Sequence, residues 1–447
     1  MDKRNMNTEI IFKKNYSRIL KILNYANQTN YYSDIFQKLK LNLDSITYEE
    51  FKTIPYLTKD IYRTNTFGII RSSVLLDFET SKYNMLNNMN EKDEMLSHYN
   101  LMLKITSGST GKPLEVIKSK NDNLREYMAI NYYRNKMYGI DLNEPFVWVW
   151  PVSPYFFSEM DANIDKVSSV NNGYKYLISV FSDEEFQVLT DFCLNNNICW
   201  ITSSPSMLYN YSKFLLKHNI CINLKYIESH SEPLLLHQRE MIRKAFGNEP
   251  VNVYGSNEVQ FIGITCPNDH MHILENNVFV EIEKNEFGYD EIIVTSLTCY
   301  DSIFLRYRIG DCAYLIKSKK NDCIYNKNSI LTLSNYRNND LAISKNEQEK
   351  YEPHLITASI YALEEKFKIK IFNYKIIQKN YDVFWYYIDL DNEKSQYEKF
   401  LELYLLKLFG YPVNVQIKLY ENASCTYAGK FKYFSVDMSF ADKNNGR

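Results

Sequence analysis

The sequence predicts an α/β protein. A large N-terminal domain of mostly parallel sheets and helices, residues 1–339, precedes a small α+β C-terminal domain, residues 340–447. Three observations predict this. Short apolar runs alternate with amphipathic stretches from Phe146 to Tyr254, the signature of strand–helix layers. From Val278 the pieces become shorter and richer in β-formers. After Asp340 a compact helix–strand alternation begins.

The elements follow in order. Residues 10–24 and 31–41 carry apolar side chains at helical spacing. Ile54-Pro55-Tyr56-Leu57-Thr58-Lys59-Asp60 reads as a turn and a helix start, with Thr58 as N-cap. Strands are expected over 146–150, 198–202, 224–228 and 251–254, with helices over 183–195, 205–218 and 234–246. Further strands are expected over 278–283, 291–296 and 312–317. The C-terminal domain reads as helix 353–366, strands 372–378 and 383–390, helix 399–408 and strand 413–419.

Composition narrows the function. The 447 residues are 45% hydrophobic, enough for a large core, and 52 basic against 54 acidic residues leave a net charge of −2. That balance gives no basic surplus to draw the chain onto nucleic acid. The charged N-terminal residues 1–20 do not resemble a signal peptide. The longest uncharged aromatic stretch, 145–157, is short and broken by Pro145, Pro151 and Pro154, so no membrane span is expected. Eight scattered cysteines without a C-x-x-C pair read as reduced thiols of a cytoplasmic protein. The 38 tyrosines are read first as base composition.

Thr106-Ser107-Gly108-Ser109-Thr110-Gly111-Lys112-Pro113 is the most informative stretch. Two glycines permit a tight turn with inward N–H groups, the hydroxyls add donors, and Lys112 adds charge: a loop that can wrap polyphosphate. It lacks the spacing of a Walker A loop. Pro113 and the β-like 114–117 make it strand–loop–strand, with a helix only from 123 to 137. Taken alone, the loop also fits an ordinary Ser/Gly turn.

These residues resemble the phosphate loop of the adenylate-forming enzymes, and other landmarks follow that family's order. The 54–59 segment is similar to the phenylacetate–CoA ligase branch, which includes CapK-like and coenzyme F390 synthetase-like proteins. Ser231-Glu232-Pro233-Leu234 resembles Gly-Glu-x-Leu. Tyr254-Gly255-Ser256-Asn257-Glu258 resembles Tyr-Gly-x-Thr-Glu, and Tyr307-Arg308-Ile309-Gly310-Asp311 resembles Tyr-Arg-Thr-Gly-Asp. Tyr336-Arg337-Asn338-Asn339-Asp340 and Ala428-Gly429-Lys430 complete the series.

The resemblance implies ATP-dependent activation of a small-molecule carboxylic acid to an acyl-adenylate. Transfer to a thiol would follow, most commonly of CoA, with a carrier protein or an amine as alternatives. It implies catalytic roles for Lys430, Glu258 and Thr106. ATP would be bound by Ser107, Gly108, Ser109, Thr110, Gly111, Lys112, Glu232, Tyr254, Gly255, Ser256, Asp311 and Arg337. Glu258 would help hold Mg²⁺, a hard cation suited to carboxylate oxygen. Tyr254 would lie against adenine and Asp311 would accept from the ribose hydroxyls. Residues 340–447 would form a mobile lid hinged at Asp340, and a homodimer is one open arrangement. Asn257, Ile309, Tyr336 and Asn339 depart from the pattern and leave room for a degenerate, nucleotide-binding relative. Trp148, Trp150, Tyr155, Phe156, Ser204 and Ser229 resemble acyl-pocket walls and point to an aromatic or medium-sized acid.

Cys266, His270 and His272 have metal-ligand chemistry, with Cys323 as a further donor. Relatives in the branch imply zinc at such a place, with a Cys-x-Cys pair. Tyr325 replaces the second cysteine here, so the reading favours a site without a full complement of zinc.

Overall fold

The computed structural model describes residues 3–419 and 434–437, apart from 87, 106–113, 152–165, 171, 179–181, 232–233, 235, 285–289, 317–328, 336–341, 346–349, 352, 370, 372–373 and 389–393. The chain divides into two compact units. One comprises Met1–Thr106, Leu114–Leu142 and Val251–Tyr336; the other comprises Ser107–Pro113, Asn143–Pro250 and Arg337–Arg447. The expected boundary at 339/340 lies outside the described residues.

In the first unit the 10–24 pattern is two helices, Lys3–Lys14 and Tyr16–Ala26, rather than one. Asn15 separates them. Its side-chain amide donates to the Ile11 carbonyl at 3.1 Å, competing with the backbone ladder as short polar side chains do. Helices Asn30–Leu39 and Lys59–Thr64 follow, the latter capped by Thr58, whose hydroxyl accepts from Ile61 N.

The described strands are numbered β1–β20 in chain order. In the first unit, β1 (Leu101–Ile105) and β2 (Glu115–Ser119) form an antiparallel pair in which Ile105 faces Glu115, so residues 106–114 fall between two directly paired residues. Helix Lys120–Tyr138 then starts at the Ser119 cap and ends at left-handed Gly139. The larger sheet contains β8 (Val251–Ser256), β9 (Gln260–Thr265), β10 (Met271–Ile273), β11 (Val278–Lys284), β12 (Asp290–Ser296), β13 (Tyr307–Ile316) and β14 (Ile330–Asn335). Their order is β11-β12-β13-β14-β10-β9-β8. The pairings among these described strands are antiparallel.

The shorter, β-rich pieces expected from Val278 onward thus pair antiparallel. Among the described residues no helix intervenes between these successive strands, and parallel pairing needs a long crossover. Phe12, Tyr48, Phe51 and Phe279 form an aromatic core beneath the sheet, with Phe12 and Phe51 centroids 5.3 Å apart.

The second unit holds the parallel part. β3 (Phe146–Pro151), β5 (Gly173–Ile178), β6 (Trp200–Ser203) and β7 (Tyr226–Ser229) run parallel, with β4 (Val167–Val170) as antiparallel edge. Helices Asp183–Asn195 and Pro205–Lys217 make the crossovers. The C-terminal segment has the short pair β15 (Ala342–Ile343) and β16 (Lys350–Tyr351). A four-stranded sheet is ordered β19-β18-β17-β20, from β17 (Tyr374–Asn380), β18 (Val383–Ile388), β19 (Asn414–Lys418) and β20 (Phe434–Val436). Helices Pro353–Phe367 and Lys394–Phe409 share its core through Ile360, Leu363, Leu401 and Leu405. This is the expected small α+β segment. No helix among the described residues is long and apolar enough to cross a membrane.

Candidate active site

Two sequence landmarks meet in the first unit. β13 carries Tyr307 to Asp311, and β8 with the turn after it carries Tyr254 to Glu258. The Tyr307 hydroxyl donates to Glu258 Oε1 at 2.6 Å, and the Tyr254 hydroxyl donates to Asp311 Oδ2 at 2.8 Å. Both carboxylates are buried. Each motif therefore supplies a tyrosine that orients the other motif's acid, a reciprocity that spacing could not reveal.

Backbone shape explains the glycines. A Cβ on Gly255 would fall 1.5 Å from the Gln260 carbonyl oxygen, so only glycine fits this turn. Gly310 has φ of 85°, in the left-handed region. Ser256 Oγ accepts from Val259 N at 3.4 Å, closing the turn that presents Glu258.

The 54–59 landmark joins the same place. Leu57 bridges to Tyr307, donating to Arg306 O at 3.2 Å and accepting from Arg308 N at 2.9 Å. Buried Arg306 holds Ile54 O at 2.7 Å and Glu281 Oε2 at 3.1 Å, while Arg306 and Arg308 each approach the Tyr56 ring to 4.5 Å.

Behind Glu258 lies a group that the sequence reading missed. Lys118 on β2 is fully buried. Its Nζ donates to Glu126 Oε1 at 2.5 Å and to the Glu258 backbone oxygen at 3.0 Å. The Cys299 thiol donates to the same Glu126 oxygen at 3.2 Å. Burial alone would lower the Lys118 pKa, but the surrounding acidic groups raise it and keep the ammonium charged. Burial pushes the Cys299 thiol well up, so it stays protonated. Nearby, Lys104 donates to Asn123 Oδ1 at 2.6 Å, which also accepts from Gln260 Nε2 at 2.5 Å. Burial, and then the charge of Lys118, push Lys104 down to about 7. A lysine in a β-like run and a glutamate in a polar helix give no outward sign of such burial.

Cys266, His270 and His272 also converge, their ligand atoms lying within 4.8 Å of one another. The hairpin between β9 and β10 does this locally, with Cys266 N bonded to the His270 carbonyl at 2.8 Å. His270 Nδ1 is buried without a hydrogen-bond partner among the described residues. Two imidazoles and a thiol suit Zn²⁺. Among the described residues Cys193, Cys199, Cys221, Cys266 and Cys299 are free thiols.

In the second unit, Trp148 and Trp150 meet edge to face at 5.1 Å, and His230 lies 6.5 Å from Trp150. Ser204 is spent as the cap of helix Pro205–Lys217, and Ser229 is buried in β7. Thr106, Ser107, Gly108, Ser109, Thr110, Gly111, Lys112, Tyr155, Phe156, Glu232, Cys323, Arg337, Asp340 and Lys430 lie outside the described residues.

The architecture is that of the adenylate-forming enzymes. 2-Hydroxyisobutyryl-CoA ligase, solved with 2-HIB-AMP and CoA in its thioesterification state, matches with a TM-score of 0.57 at 11% identity, over 97% of this chain and 91% of that one. Its postadenylation state with R3-HIB-AMP gives 0.51 at 12% identity, over 96% and 90%. At such identity the likeness shows the fold alone.

Two curated relatives fit the branch that the motifs resemble. Protein CapK of Staphylococcus aureus is 22% identical over 454 aligned residues, 96% of this chain and 89% of the relative. Indoleacetate–lysine synthetase of Pseudomonas savastanoi is 31% identical over 153 residues, 33% of this chain. That match spans 36% of the synthetase. No family model matches the chain.

Proposed function

We propose that this chain activates a carboxylic acid with ATP. An acid oxygen attacks the α-phosphorus, the bond to the β-phosphate oxygen breaks, and acyl-adenylate and pyrophosphate form. The acyl group then passes to an acceptor thiol, CoA first among candidates, releasing AMP. The observation that carries this reading is the reciprocal tyrosine–carboxylate pairing of Glu258 with Tyr307 and Asp311 with Tyr254. It orients two buried acids, each through the other motif's tyrosine.

Within this reading, Asp311 accepts from the ribose hydroxyls and Tyr254 borders adenine. The 106–112 loop, Glu232 and Arg337 bind the polyphosphate and nucleotide. Glu258 would help hold Mg²⁺, which when bound offsets phosphate charge. Lys430 brings positive charge to the point where two anions meet. Cys266, His270 and His272 offer three zinc donors, one short of a structural set, so a full zinc complement is not part of this reading.

A second acceptor class has a specific reason. The relative sharing 31% identity over 153 residues is named for indoleacetate and lysine, an acid and an amine-bearing amino acid. An amine acceptor is therefore tested beside CoA and an acyl carrier protein.

The test is ATP–pyrophosphate exchange across a panel of acids, led by aromatic and medium-sized ones because of Trp148, Trp150 and His230. Exchange with at least one acid is expected. Lys430→Ala should lower it about 10²- to 10³-fold, the usual loss for one electrostatic contact made in the transition state, with ATP affinity largely kept. Unchanged exchange in that variant would remove Lys430 from the mechanism, and no exchange with any acid would sink the reading.

A further inference from the structure

We infer that Lys118 is a positioning residue: paired with Glu126, it fixes the backbone at Glu258 and so sets the place where the magnesium-bound nucleotide is held. The inference rests on the proposed role of Glu258 in binding Mg²⁺. Three contacts carry it. Lys118 Nζ reaches the Glu258 carbonyl at 3.0 Å, and Glu126 Oε1 holds that ammonium at 2.5 Å. The Cys299 thiol holds the same carboxylate oxygen from a third segment at 3.2 Å. All three side chains are buried, so the geometry has no solvent to relax into.

The surroundings favour positioning over mere packing. Ile117, next to Lys118, donates its N–H to the Tyr62 hydroxyl at 3.0 Å, and the Tyr62 ring stacks on Phe304 at 5.5 Å. Tyr307 meets Phe304 edge to face at 5.6 Å and donates to Glu258 Oε1. Glu258 is thus held twice, by Lys118 at the backbone and by Tyr307 at the carboxylate. A buried ion pair is poor evidence of stabilisation, since similarly sized neutral residues often serve as well. Its use here is explained by where the second hydrogen bond of Lys118 lands.

The test separates position from stability. Lys118→Met alone leaves the Glu126 charge buried and should melt early. Lys118→Met combined with Glu126→Gln removes both charges, and its melting temperature should return to within a few degrees of wild type. Two readouts are taken on wild type and the double variant. One is the Mg²⁺ concentration giving half of the ATP-induced rise in melting temperature. The other is the Mg²⁺ dependence of pyrophosphate exchange.

We expect both midpoints to rise about tenfold in the double variant with the acid KM unchanged, within the range that a misplacement of about 1 Å can cost. A double variant with restored melting temperature and wild-type Mg²⁺ midpoints would overturn the inference and leave the pair purely structural. The thermal readout needs no acid, so failure to find a substrate does not decide it. A wild-type chain without any Mg²⁺-dependent ATP shift would overturn both the inference and the role of Glu258.

Discussion

At the scale of single residues, the most consequential feature is how two lysines hold their charge, Lys118 fully buried and Lys104 partly so. Lys118 is matched by a carboxylate, whereas Lys104 is held by a neutral amide and feels a second lysine. Its pKa falls from 10.5 to about 7. Between those values the unfolded chain binds more protons than the folded one, so stability rises with pH across that window. Below about pH 7 the full cost of burying the ammonium is present. Lys104→Met should therefore melt higher than wild type at about pH 6, and the gain should shrink as pH approaches about 10. Thermal melts at a series of pH values read this. A constant difference would mean that Lys104 is solvated in the folded chain.

At the scale of elements, what was legible depended on whether a signal was local. The helix Asp183–Asn195 was readable to its ends because Ser182 caps it and Asp183, Glu184 and Glu185 fill its first turn. Thr58 was readable as a cap for the same reason. The antiparallel sense of β8–β14 was not, because the same β-formers serve either pairing. The motif acids were visible as types, but their exchange of tyrosine partners between β8 and β13 depends on tertiary register. Lys118 and Glu126 were hidden because charged residues in a strand and a polar helix read as solvated. The Cys266–His272 hairpin shows both sides: its donors were legible, but their convergence within 4.8 Å was not. Structural zinc normally takes four protein ligands, and Tyr325 stands where one is expected. Purified chain should therefore contain less than one zinc, fill to one equivalent when zinc is added, and lose that capacity in Cys266→Ser. Elemental analysis before and after gel filtration measures it. A tightly held equivalent in untreated protein would mean that a fourth donor, with Cys323 the first candidate, completes the set.

At the scale of the whole molecule, the proposed chemistry places two demands on one site. Glu258 and Asp311 belong to one compact unit, while Asp340 and Lys430 belong to the C-terminal segment of the other. Lys430 is proposed to sit by the carboxylate while the adenylate forms, but the acceptor must then approach that same carbonyl. A rotation of residues 340–447 between the two steps would satisfy both demands. Hinges concentrate large backbone changes in a few residues, and Asp340 is the proposed one. Proline there would fix φ near roughly −65° and remove an N–H donor, favouring one backbone state over the other. Asp340→Pro should therefore keep much of one half-reaction and lose most of the other. Pyrophosphate exchange measures acid activation; transfer from preformed acyl-adenylate to CoA or an amine measures the later step. The two must be compared in protein whose melting temperature is unchanged. If both rates fall by the same factor in folded protein, Asp340 is not the pivot, and the lid reading of residues 340–447 loses its hinge.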